Sequence, residues 1–235
     1  MPIGQLEAVD EGIWIADGPV VPFLGFPYPT RMTVVRLSDG ALWICSPVRL
    51  EPSLRETLEQ LGPVRHLVSP NKLHHLSLGE WARAWPGAHL YAPPGLARRR
   101  QDLAFHAELG DQPDPAWAAD IDQVIFRGSF VMQEVVFFHR ASRSAIFTDL
   151  IQKFDPQALH GWRRVVMTLE SLVGPEGSTQ REWRWSFWNR RAARAALRQA
   201  LEWNPRRLLI AHGTCVPENG REVLSRSLRW LSLRM

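Results

Sequence analysis

Apolar residues recur along this chain in short runs separated by turn residues, and two different periods can be read from them. In the first part, Gly12-Ile13-Trp14-Ile15, Met32-Thr33-Val34-Val35-Arg36-Leu37 and Ala41-Leu42-Trp43-Ile44-Cys45 have the length and the β-branched or aromatic content of strands. Ser38-Asp39-Gly40, between the last two, is a hairpin turn signal. The period then changes. Over Glu51 to Leu61, the residues Leu54, Leu58 and Leu61 fall on one helical face, Pro52 suits the first turn, and Gly62-Pro63 ends it. Val64-Arg65-His66-Leu67-Val68 predicts a buried strand, Leu76 to Trp85 a short helix, and Ala88-His89-Leu90-Tyr91 another strand. Strand and helix in alternation mark an α/β sheet with short crossovers.

The stretch Gln101 to Asp120, with Asp111-Gln112-Pro113-Asp114-Pro115, is expected to be irregular. A second strand series follows in Gln123 to Phe126, Glu134 to His139 and Ser144 to Thr148, with Arg140-Ala141-Ser142-Arg143 turning between the last two. A Trp-rich insert, Glu182 to Trp188, leads into a helix from Arg191 to Trp203. A strand from Arg207 to Ala211 and an amphipathic helix from Glu222 to Leu231 close the chain. Two strand-rich halves, each finished by helices, predict two sheets packed face to face with helices outside, in a single domain over 1–235. Either 101–120 or 183–188 could lie over a groove as a lid.

Composition narrows the class without naming a function. Hydrophobic residues make up 45% of 235 and charged residues 22%, enough to bury an ordinary core. No apolar run reaches the ~18 residues of a membrane span, and Met1 to Glu7 has no signal-peptide pattern. A cytoplasmic protein with no membrane partner is the expectation. Cys45 and Cys215 give no disulfide framework. The net charge is +4, and only Lys72 and Lys153 are lysines. Arginine suits bidentate pairing with phosphate or carboxylate, although GC-rich coding produces the same bias. Neither a phosphate-binding GxxxxGK[ST] loop nor a G-x-S-x-G elbow occurs.

The candidate chemistry lies at strand ends. Leu67-Val68-Ser69-Pro70-Asn71-Lys72-Leu73-His74-His75 carries an apolar run into two adjacent histidines. Ala145-Ile146-Phe147-Thr148 ends in Asp149, and Leu208-Leu209-Ile210-Ala211 ends in His212. Three strands that deliver metal-ligand side chains at one end suggest a shared site. Plainer readings stand beside this one. His74 and His75 could cap the helix near Leu76, Asp149 could serve a turn, and His212-Gly213 could end a strand for backbone reasons.

The order of elements, with Glu134 to Arg143, Phe147-Thr148-Asp149-Leu150 and Ala211-His212-Gly213, resembles a family of uncharacterised domains related to metallo-β-lactamases. The resemblance runs from about Glu11 to Leu231. It implies an α/β fold layered as an αββα sandwich, with a metal site along one edge. The superfamily's Thr-His-x-His-x-Asp-His loop aligns with Ser69 to His75, so Pro70 and Lys72 stand where two histidines would be. Phe130 to Gln133 offers no histidine for the third ligand of that first metal site. The resemblance therefore implies a lost first site and a retained second one. His74, His75, Asp149 and His212 would hold one zinc, iron or manganese ion, or the fold would persist with no metal.

His139 would support the ligands from behind, or serve as an ordinary structural histidine. Lys72 would polarise a substrate carbonyl or phosphoryl oxygen as a catalytic group. The expected activity is hydrolysis of a small ester, thioester or phosphoester, with a small-molecule substrate as partner. The alternative is a non-catalytic binding or scaffold protein. A weaker third reading, nucleic-acid processing, would use Trp183, Trp185 and Trp188 interleaved with Arg181, Arg184, Arg190 and Arg191. Packing of those tryptophans as lid or core is the simpler account.

Overall fold

The computed structural model describes residues 3–231 except Leu24. Residues 1–2 and 232–235 of the expected domain lie outside the described residues. Seven strands lie side by side in chain order: β1 (Leu6–Asp10), β2 (Ile13–Phe23), β3 (Phe26–Arg36), β4 (Leu42–Cys45), β5 (Val64–Val68), β6 (His89–Ala92) and β7 (Ala107–Glu108). The first four run antiparallel, and β4 to β7 run parallel. Parallel neighbours need crossovers, and α1 (Pro52–Leu61) and α2 (Leu78–Ala84) supply two of them.

The second sheet has the order β11-β10-β9-β8, with β8 (Ile121–Phe126), β9 (Glu134–His139), β10 (Ser144–Phe147) and β11 (Arg207–Ile210). Its last strand pairs parallel to β10. Around it lie α3 (Gly161–Leu169), α4 (Arg181–Ser186), α5 (Arg190–Glu202), α6 (Gly220–Ser227) and a final 3-10 turn, Arg229–Leu231. Among the described residues, no helix is long and apolar enough to cross a membrane.

Period-two alternation explains the layering. In β4, Trp43 and Cys45 face the second sheet, where they meet Phe137, Ile146 and Leu209. Leu42 and Ile44, pointing the other way, pack under Leu54 and Leu58 of α1 and Trp81 of α2. The second sheet alternates likewise. Val135 and Phe137 face inward, whereas Val136 and Phe138 meet Ala193, Ala196 and Leu197 of α5 and Leu224 of α6. Both faces of both sheets are covered, so near-continuous apolar strands are stable here. The result is the αββα sandwich expected from the sequence.

Three local features depart from the expected pattern. The β2–β3 hairpin is much longer than the short strands expected at 12–15 and 32–37. Pro19, Pro22, Pro27 and Pro29 hide it, because proline removes a ladder N–H and argues against a strand. Here β3 meets β4 only from Thr33↔Cys45 onward, so its earlier residues pair on one side alone. The hairpin therefore projects past the sheet, where proline is tolerated. The Trp-rich insert is partly helical as α4, and α3 was not expected at all. The stretch 101–120 is irregular apart from β7, as anticipated.

One helix start carries a direct prediction. The Asn189 side chain accepts from the amides of Arg191 (3.2 Å) and Ala192 (3.4 Å) and caps α5. Asn189→Ala is expected to lower stability by about 1 kcal/mol, measured as a shift of the urea midpoint at constant slope.

Candidate metal centre

The parallel strands β10 and β11 end at the same edge, which places Asp149 beside His212. The adjoining β9 runs the other way, so its first residue, Glu134, arrives at that edge too. From the first sheet, β5 ends in the loop that carries His74, and Ser46 directly follows β4. The three histidine and carboxylate side chains that meet come from both sheets.

Their geometry is tight. His74 Nε2 lies 3.2 Å from Asp149 Oδ2, His212 Nε2 lies 3.1 Å from Asp149 Oδ1, and the two Nε2 atoms are 3.2 Å apart. Each imidazole is anchored through its other nitrogen. His212 Nδ1 donates to the Pro29 carbonyl at 2.6 Å, since a carbonyl can only accept. Ser46 Oγ meets His74 Nδ1 at 2.6 Å, from a residue held at a positive φ of 57°. The Tyr28 ring stands edge-on to His212, with centroids 5.2 Å apart. Both side chains thus aim Nε2 at one carboxylate with their orientation fixed from behind, the usual support of a metal-ligating histidine.

Burial alone would raise the Asp149 pKa, but His74 and His212 outweigh it and hold the carboxyl well below the usual carboxylate range. The reverse holds at His212. Burial disfavours its charged form, yet the hydrogen bond it donates to the Asp149 carboxylate, with that group's charge, wins and moves it above an ordinary imidazole. A cation is therefore welcome between these groups, whether it is a proton or a metal ion.

Two residues not anticipated from the sequence hold the centre together. Glu134 is fully buried. Its Oε2 accepts from the amides of Asp149 (2.7 Å) and Leu150 (3.0 Å), and Oε1 accepts from Thr148 N at 2.9 Å. Burial, with the Asp149 charge second, pushes its carboxyl up, while these amides pull the other way. Asn71 is equally buried, and its Nδ2 lies 2.7 Å from Asp149 Oδ2, 3.0 Å from Thr148 Oγ1 and 3.1 Å from Glu134 Oε2. Its Oδ1 accepts from the amides of Leu73 and His74. One amide side chain therefore folds the histidine loop and ties it to the opposite sheet. The only sequence signals were an acidic residue opening an apolar strand and an asparagine after Ser69-Pro70.

Gly213 has a plain backbone reason. Its φ is 111°, and a Cβ there would lie 1.9 Å from the Lys153 carbonyl oxygen. Next to it, Arg31 binds Asp17 and donates to the carbonyls of Ile210 (2.6 Å) and Gly213 (2.7 Å), which pins the projecting hairpin to the strand end that bears His212.

Three expected site residues lie elsewhere. His75 points away from His74, as adjacent residues in a tight turn do, and its Nδ1 accepts from Arg100 Nη1 at 2.8 Å. Burial and the arginine lower its pKa. His75→Ala is accordingly expected to leave metal stoichiometry and affinity within about twofold of the parent, as measured by competition with a chromophoric chelator. His139 sits at the far end of β9, where its Nδ1 meets Ser142 Oγ at 2.8 Å. It pairs with Ser144, the first residue of β10, about 16 Å along the strand from Asp149 at 3.3 Å per residue. Lys72 places its ammonium against Gly95, and among the described residues no ion pair joins it to Asp149.

A family model described as a domain of unknown function (DUF4336) matches residues 12–160, more than half of the chain and including His74 and Asp149. The chain belongs to that family. No curated protein matches this DUF4336 chain. Solved structures do, at low identity. The metallo-β-lactamase DIM-1 is 17% identical with a TM-score of 0.67, over 98% of this chain and 97% of that one. A metallo-β-lactamase from Pontibacter korlensis is 12% identical with a TM-score of 0.65, over 98% and 99%. FIM-1 from Pseudomonas aeruginosa, solved in a mono-zinc form, is 14% identical with a TM-score of 0.62, over 97% and 94%. The fold of this DUF4336 protein is that of the metallo-β-lactamases.

Proposed function

We propose that this protein is a metallo-β-lactamase-fold hydrolase that works with a single divalent metal ion held by His74, Asp149 and His212. The observation that carries the reading is the cluster itself: the two Nε2 atoms lie 3.2 Å apart, each lies 3.1 to 3.2 Å from its own oxygen of Asp149, and both imidazoles are anchored through Nδ1. Ligand distances of about 2.0–2.2 Å put neighbouring donors of a tetrahedral zinc about 3.4 Å apart, close to the Nε2–Nε2 separation and to that of each Nε2 from its nearer Asp149 oxygen. Three protein ligands leave one position over, as catalytic rather than structural zinc sites do. Nitrogen and carboxylate donors suit zinc, and iron or manganese would also be accepted.

When bound there, the ion would supply Lewis-acid chemistry for water attack on a small ester, thioester or phosphoester. The chain's own residues do the positioning. Asn71 and Glu134 fix the Asp149 carboxylate, and Ser46 and the Pro29 carbonyl set the two rings. A second reading, a binding or scaffold protein, draws on the depth of the centre, since the three side chains are only 7 to 8% exposed.

Plasma mass spectrometry of protein purified without chelator or affinity tag tests the proposal. About one zinc, iron or manganese per chain is expected, followed by metal-dependent turnover in a panel of esters, thioesters and phosphoesters. Folded protein without stoichiometric metal would overturn it. Metal without turnover across the panel would favour the scaffold reading.

A further inference from the structure

Large hydrophobic side chains left in water are unevenly placed on this protein. Among the described residues eleven are exposed, and all but Ile3 lie on the β5 loop, the β2–β3 hairpin, the segment before β9, α3 and the region of α4. Leu73 and Leu76 flank the two histidines of the β5 loop. Phe130 and Val131 immediately precede the strand that opens with Glu134. Val20 belongs to the hairpin that projects past the sheet. Trp162, Val165 and Leu169 form one outward stripe along α3, spaced as a single helical face while Met167 packs inward. Trp185 is 75% exposed and Trp188 is 91% exposed, at the end of α4.

These segments are joined to the centre and to one another. The inner side of α3 packs with Tyr28, Phe154 and Leu172, and Tyr28 lies on His212. Ahead of α4, Thr179 donates to the Leu150 carbonyl beside Asp149, and Trp183 in the helix donates to the Met132 carbonyl. Phe130 N bonds the Ser186 carbonyl. The exposed apolar groups therefore belong to the rim of one face.

That rim also carries positive charge. Residues 160–170 and 181–191 hold six arginines and two glutamates, and one of the glutamates, Glu170, accepts from the Arg181 amide within the patch. Arg163 lies over the Trp162 ring at 5.3 Å, so cation and aromatic share one patch.

We propose that this face docks onto an anionic lipid bilayer surface, with the tryptophans and aliphatic side chains entering the headgroup region and the arginines meeting lipid phosphates. Tryptophan and arginine at one surface are the pairing that interfacial attachment uses. A nucleic acid would answer the arginines and could stack on tryptophan, but it would leave Leu73, Leu76, Val165 and Leu169 in water. A second copy of the chain would cover the apolar groups only by setting two arginine-rich rims against each other, since a two-fold interface opposes like with like. The expectation of no membrane partner rested on the lack of a spanning segment, which does not bear on surface attachment. The docking depends neither on a metal nor on turnover, so it can fail separately from the hydrolase reading.

Co-sedimentation with vesicles of phosphatidylcholine, with and without phosphatidylglycerol, tests it, with a mixed-sequence oligonucleotide as a parallel arm. The protein is expected to pellet with the phosphatidylglycerol vesicles and to release as salt rises. The exposed-residue variants Trp162→Ser/Trp185→Ser/Trp188→Ser and Arg163→Glu/Arg164→Glu are each expected to weaken partitioning about tenfold or more. No pelleting with anionic vesicles would overturn the proposal, as would variants that partition like the parent. Oligonucleotide binding without vesicle binding would replace it with the nucleic-acid reading.

Discussion

Asp149→Ala is expected to leave the protein folded and to weaken metal binding more than about 100-fold. Loss of an outer partner alone costs 10–100-fold in affinity, and Asp149 is a ligand candidate itself. It supplies an oxygen to each imidazole and is the only carboxylate in the cluster. The fold should survive because Asn71 keeps Glu134 and Thr148 as partners when the Asp149 carboxylate is gone. Binding should also weaken on acidification, because a metal must displace protons from both rings. Asp149 raises His212 above the ordinary imidazole value, so the loss begins at a higher pH than for a free histidine. Competition with a chromophoric chelator, with His75→Ala beside it, reads both effects. Equal affinity in parent and Asp149→Ala protein would remove Asp149 from the centre.

Glu134→Ala should be among the most destabilising single changes available in this chain, at about 3–5 kcal/mol. The substitution strands three backbone amides and weakens the hold on the Asn71 amide, all in a region without access to water. A buried donor left without its partner costs about 1–3 kcal/mol, and donors that share one acceptor do not add fully. Part of the loss is offset, because removing a buried carboxylate also removes its repulsion with Asp149. Glu134→Gln keeps the shape and one carbonyl acceptor but turns an N–H₂ group toward backbone donors, so an intermediate loss is expected. Urea unfolding of both variants measures the difference. A loss below 1 kcal/mol in the alanine variant would mean that these amides find other partners.

The layers were legible in the sequence because burial on both faces leaves continuous apolar strands, and the crossover helices announce themselves with Pro52 and Gly62-Pro63. His74, Asp149 and His212 were visible for the same reason, since Asp149 and His212 come two residues after such a strand and His74 lies in the loop that follows one. The neighbouring His75 shows the limit of that logic: adjacency in sequence says nothing about direction within a tight turn, and Arg100 claims its ring. Asn71 and Glu134 were out of reach for a different cause. Their bond joins residues 63 positions apart, and no local pattern says which buried donor will meet which acceptor. The long hairpin was concealed by its prolines, which only make sense once its unpaired side is seen.

The parallel pairing of β10 with β11 has a consequence during synthesis. As the chain leaves the ribosome, β8, β9 and β10 can zip together as soon as they emerge, each being next to its partner in sequence. The far side of Ser144-Ala145-Ile146-Phe147 then waits, with its backbone groups bare, until Arg207 to Ile210 has been made. An uncovered strand edge of this kind is a template for pairing with another chain. A transcript truncated or stalled between those two points would release a product that lacks His212 and carries an open, apolar ladder.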